Sequence, residues 1–152
     1  MSRIEIIEKP LPALRLAART AVAADQAEIG VLVGPMFDAI AAVIGDECGS
    51  LATPIAQYLA GAEGMHLTVG YVYSGPPREG IEVIELPAVA SAMCGVHLGA
   101  MDGIGGSWMA LHDEIVARGL APSGACRELY LRAESDDQSD WVTELQQPVA
   151  SA

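Results

Sequence analysis

The chain has 152 residues, 20 acidic against 8 basic side chains and a net charge of −12, so it lacks the basic footprint with which nucleic-acid-binding proteins displace phosphate counterions. Apolar residues make up 51 % of it, enough for one domain with a true core. No uninterrupted apolar run reaches the ~18 residues of a membrane span, and the opening Met1-Ser2-Arg3-Ile4-Glu5 lacks the basic-then-apolar plan of a secretory leader; the expectation is a soluble, cytoplasmic protein with no membrane or direct nucleic-acid partner.

In chain order, Ile4–Glu8 and the apolar segment Ala13–Ala24 predict two strands. From Glu28 the residues Ile29, Leu32, Val33, Met36, Phe37, Ile40, Val43 and Ile44 recur at helical spacing. Pro35 falls inside that pattern, either as the first helical residue or as a kink, and Gly45 and Gly49 punctuate the end. Strands at Ile55–Leu59 and His66–Tyr73 follow, with Tyr71 and Tyr73 assigned to the core side, and Ser74-Gly75-Pro76-Pro77 marks a boundary.

The plan then recurs. Ile4-Glu5-Ile6-Ile7-Glu8-Lys9-Pro10 returns as Ile81-Glu82-Val83-Ile84-Glu85-Leu86-Pro87, with conservative swaps and one Lys/Leu exchange. Strands at Ile81–Glu85 and Val89–Leu98 lead through the glycine-rich loop 99–106 to a helix capped by Ser107, with Trp108, Leu111, Ile115 and Val116 as its stripe. Cys126–Arg132 and Trp141–Gln147 form a strand pair around an acidic loop. A repeat of half the chain is too long for a solenoid unit. It predicts an α+β domain of two strand-helix-strand-strand halves, 1–75 and 78–150, with an antiparallel sheet carrying two helices on one face. Two such halves are expected to enclose a shared groove, with function where they differ.

Alternation along Trp141-Val142-Thr143-Glu144-Leu145-Gln146 puts Glu144 on the face opposite Leu145. If Leu129, Leu131 and Trp141 face the helices, Tyr130 and Glu144 emerge together on the helix-free face. Tyr58 matches Tyr130, each followed by leucine, whereas Thr68 stands where the second half has Glu144. Two tyrosines flanking one carboxylate make a receptor for a hydrophobic cation, through ring area, cation–π attraction and counter-charge. Trp108 is either a wall of that groove or a core anchor. Cys48, Cys94 and Cys126 lack CxxC spacing, which favours reduced thiols over zinc or disulfides. His66, His97 and His112 lie on separate elements, so no metal site is expected, and the glycine run lacks a Walker lysine or a GxGxxG frame. No cofactor is expected.

The ending Trp-x-Thr-Glu-Leu-Gln-x-Pro-Val, the preceding Arg127-Glu128-Leu129-Tyr130-Leu131, the turn His97-Leu98-Gly99 and the paired Ile-Glu-x-Ile-Glu openings together resemble the GyrI-like superfamily, the effector-binding domain of AraC-type and MerR-type multidrug regulators, also found as stand-alone proteins. The resemblance spans essentially the whole chain. It implies a duplicated, SHS2-like fold and a groove between the halves for hydrophobic, often cationic, small molecules centred on the last-strand glutamate, here Glu144; Tyr130, Tyr58 and Trp108, read from the residues themselves, are the aromatic candidates beside it.

Three functions follow as expectations. The first is a stand-alone module that senses or sequesters such molecules; with no helix-turn-helix before Ile4 or after Pro148, transcription regulation would require a separate DNA-binding partner. The second, implied by the resemblance, is a hydrolase of strained cyclopropanoid electrophiles, with Glu144 as base and Tyr130 or Tyr58 donating a hydrogen bond. The third is a gyrase-inhibitor-like interaction module, with a protein partner or a homo-oligomer.

Overall fold

The structure, a computed structural model, describes residues 5–45 and 53–152. Ile4, Cys48 and Gly49 lie outside them. The fold is α+β, as expected, and every paired ladder is antiparallel. The strands are β1 (Ile6–Leu11), β2 (Leu14–Ala23), β3 (Pro54–Gly61), β4 (Gly64–Val72), β5 (Glu82–Leu86), β6 (Val89–Leu98), β7 (Leu120–Pro122), β8 (Cys126–Arg132) and β9 (Val142–Ser151); the helices are α1 (Gln26–Ile44) and α2 (Ile104–Ala117).

The chain forms two compact units, Met1–Leu11 with Val89–Ala152, and Pro12–Ala88. These differ from the sequence halves 1–75 and 78–150. β1 leaves its own half to pair with β6, giving the order β1-β6-β9-β8 with β7 also on β9. β5 likewise pairs with β2, giving β5-β2-β4-β3. The connections explain the exchange: only two residues separate β1 from β2 and β5 from β6, and in each the proline-containing link carries the chain from one unit into the other.

Helix α1 starts earlier than its apolar pattern predicts. Asp25 caps it, accepting from Glu28 N at 2.9 Å, and Pro35 lies mid-helix. The proline is tolerated because it sits on the exposed side, where water can satisfy the carbonyl it leaves unbonded. By length and composition alone α1 is also apolar enough to cross a membrane; here Ile29, Ile40 and Ile44 are buried. Ile29 packs with Ala23 and Leu67, and Leu32, Val33 and Tyr58 border that cluster. Tyr71 and Tyr73 are buried as expected, Tyr71 lying edge-on to Phe37 at 5.5 Å.

Helix α2 follows directly on a 3-10 turn at Met101–Gly103. Ser107 is therefore a buried residue inside the helix rather than its cap. Its hydroxyl meets His97 Nδ1 at 2.7 Å, while His97 Nε2 lies 2.8 Å from Ala100 O. A carbonyl only accepts, so Nε2 carries the proton and Nδ1 accepts from Ser107. This clasp ties the start of α2 to β6. Met93, Leu111, Ile115 and Leu145, all fully buried, form the core beneath α2, with Ile6, Trp108, Leu120 and Val149 around it.

Candidate functional site: the Glu144 face of the β6-β9-β8 sheet

Residues directly opposed in an antiparallel ladder share a face. Leu145 packs under α2, so its partners Glu128 and Gly95 face α2 as well. Glu144 lies one residue away and faces the other side, together with its partners Val96 and Leu129. Gln146 shares that face with Cys94 and Arg127, and Lys9 is level with Ala92.

The geometry around Glu144 is specific. Lys9 Nζ reaches diagonally past Cys94 and donates to Glu144 Oε1 at 2.6 Å, and Gln146 Nε2 donates to Oε2 at 3.2 Å. The carboxylate side chain is 15 % exposed and the lysine 38 %. The bond to Glu144 raises the Lys9 pKa above its ordinary value, outweighing partial burial. Burial pushes the Cys94 thiol up to about 11, helped by the nearby Glu144 anion and opposed by Lys9. Arg127 is buried on this face, and that burial lowers its pKa.

The sequence-predicted residues are not brought together. Tyr130 is opposite Thr143, one step from Glu144, and so faces α2. The expectation that Tyr130 and Glu144 share the helix-free face is thereby corrected. It rested on Leu129 and Leu131 covering the core, but Leu131 is half-exposed and Leu129 shares the Glu144 face. The α2 side of β8 carries Glu128 instead. Tyr130 OH donates to Glu128 Oε1 at 2.7 Å and Trp108 Nε1 to Oε2 at 2.8 Å. Trp108 thus anchors helix to strand and packs on the core, away from Glu144. Tyr58 lies in the other unit, where it pairs with Leu67 and borders the cluster beneath α1. Thr68 is the next residue along and faces away from α1, the same relation that Glu144 bears to Thr143 and Tyr130.

Sequence reasoning missed Lys9, Gln146 and Cys94 around Glu144, and Glu128 between Trp108 and Tyr130. A signal for Lys9 was present: it is the one non-conservative exchange between the two openings, and the equivalent Leu86 is buried. Among the described residues no cluster of histidine, cysteine and carboxylate side chains is arranged to hold a metal ion.

The chain matches no protein-family model and no curated protein. Its fold is similar to that of the EcmrR C-terminal domain, at 18% identity and TM-score 0.74, covering 98% of this chain and 99% of that one. SAV2435, solved bound to tetraphenylphosphonium, is 17% identical with a TM-score of 0.63, covering 96% and 94%. A hydrolase from Listeria innocua is 11% identical with a TM-score of 0.63, covering 96% and 92%. At these identities the likeness is one of fold.

Proposed function

We propose that this protein binds hydrophobic, cationic small molecules against the Glu144 face, for sensing or sequestration. The observation that supports this is Glu144 itself, a carboxylate only 15 % exposed and flanked by Val96, Leu129 and Cys94. An anion held where water is scarce attracts a cation more strongly than one in bulk solvent. A ligand whose charge is wrapped in apolar groups loses little hydration on entering and gains apolar contact. Tetraphenylphosphonium, the ligand of the similarly folded SAV2435, is of this kind. Tyr130, Trp108 and Tyr58 lie outside this reading: Tyr130 and Tyr58 face the helix side of their strands, and Trp108 reaches from α2 to Glu128.

Calorimetric titration of tetraphenylphosphonium and of neutral triphenylphosphine oxide into wild type and Glu144→Gln tests the proposal. The cation is expected to bind in the micromolar range and to lose about 1–3 kcal/mol in the variant, with the neutral compound little affected. Equal weakening of both compounds would remove the charge-selective role of Glu144.

A second reading is hydrolysis, the activity named for the Listeria innocua protein of the same fold, here as water addition to the strained ring of the cyclopropanoid electrophiles that the GyrI-like resemblance implies. Glu144 would take the proton from water as its oxygen bonds to a ring carbon, and return it to the carbon released when the ring bond breaks. Tyr130, on the other face, has no part in this. Lys9 Nζ holds Oε1 at 2.6 Å, so a water would have to displace it there. Mass spectrometry decides: a product heavier by one water, absent with Glu144→Gln, is the required result.

A further inference from the structure

Lys9 is the only lysine among the 152 residues, and the fold places it on Glu144, 135 positions away. We infer that Lys9 is a displaceable internal counter-ion: it occupies the place on Glu144 that a ligand's cation would take, and so determines which cations this face accepts. The inference rests on the reading of the Glu144 face as a cation receptor and adds a second, opposing residue to it.

The pair is asymmetric in a way that suits exchange. Glu144 is 15 % exposed and fixed on the central strand, whereas Lys9 is 38 % exposed on the strand beside β6. A lysine has a flexible four-carbon stem and a strongly hydrated head, so the ammonium can swing into water more readily than the carboxylate. Gln146 Nε2 donates to Oε2, the oxygen that Lys9 does not hold, which offers the carboxylate a second donor for the exchange. Without ligand, Lys9 relieves the cost of a bare, partly buried anion. Strand structure alone does not require a lysine at this position, since the equivalent strand β5 carries Leu86.

Selectivity follows. A small, strongly hydrated ammonium offers Glu144 nothing that Lys9 does not already supply, and it must shed its own water to compete. A bulky cation with diffuse charge gives up little hydration and adds apolar contact to Val96 and Leu129. The wild-type face therefore takes lipophilic cations and rejects small amines.

The test compares wild type, Lys9→Met and Lys9→Gln with tetraphenylphosphonium, methylammonium and triphenylphosphine oxide. Both substitutions should tighten tetraphenylphosphonium about tenfold, make methylammonium binding measurable, and leave the neutral compound within about twofold. As a direct readout, reductive methylation of wild type with 13C-formaldehyde gives one lysine signal, which should move toward the free-lysine position on saturation with tetraphenylphosphonium. If the cation binds wild type through Glu144 but neither Lys9 variant tightens it, Lys9 is not a competitor and the inference falls while the receptor reading stands. If no variant shows Glu144-dependent cation binding, the receptor reading falls and takes this inference with it.

Discussion

Tyr130 and Glu144 stand one ladder step apart on adjacent strands and face opposite sides of their sheet, since Tyr130 pairs with Thr143, the residue before Glu144. The phenol therefore serves Glu128, at 2.7 Å, and Glu128 and Glu144 have separate partners on separate faces. One is held by an indole and a phenol, the other by an ammonium and an amide.

Tyr130→Phe should accordingly act on stability. Removing a charge-assisted donor from the buried Glu128 is expected to cost about 1–3 kcal/mol in urea unfolding. Tetraphenylphosphonium affinity should stay within about twofold. A large affinity loss at unchanged stability would return Tyr130 to the ligand.

The neighbours Glu144 and Leu145 should separate the two roles within one strand. Leu145→Ala opens a cavity among the fully buried Met93, Leu111 and Ile115 and should cost about 2–5 kcal/mol. Glu144→Gln should change stability by no more than about 1 kcal/mol, with its main effect on cation binding. Paired urea melts and calorimetry on the two variants check the contrast.

The Lys9–Glu144 pair predicts an alkaline signature. Its bond to Glu144 holds the Lys9 pKa above the ordinary 10.5. A raised pKa means that the folded state keeps the proton more tightly than the unfolded one. The contribution is complete below 10.5 and is lost as pH rises through the folded value. It should amount to no more than about 1 kcal/mol, because the ammonium is over a third exposed. Urea midpoints for wild type and Lys9→Met should run parallel from pH 6 to about 10 and converge as the pH rises above 10.5.

Both described cysteines should be slow to alkylate. Burial raises Cys94 and Cys126 to about 11, with repulsion from Glu144 and Glu128 respectively adding to it. In a Cys48→Ser background at pH 8, iodoacetamide should label the folded protein about a hundredfold more slowly than a free thiol. Urea should abolish the difference.

The α+β class and, among the described residues, both α-helices and eight of the nine strands were legible from periodicity and turn residues, because each apolar face must find cover. The three-residue β7 carries too little pattern to be read. The exchange of β1 and β5 between units was not legible either, since alternation fixes a strand's faces and not its neighbour. At the site, Glu144 was readable from strand parity alone. Its relation to Tyr130 was not, because that depended on which face of β8 is inward. A leucine pair there outweighed a glutamate in the reading, yet in the fold Glu128 is buried by two donors that only α2 and Tyr130 supply. Lys9 was visible as a difference between the repeats, but its target lay beyond any local rule.

The long separation between Lys9 and Glu144 carries a consequence for synthesis. The lysine is made 135 residues before its carboxylate, which belongs to β9, the strand on which β6, β7 and β8 all converge. Until Val142–Ser151 is synthesised, β6 and β8 have no common neighbour and the ammonium has no acid to settle on. Contacts of such high sequence separation form late and slowly. A ribosome-bound chain stalled before β9 should therefore leave Lys9 fully open to amine reagents, and the appearance of protection would time the moment at which this unit closes.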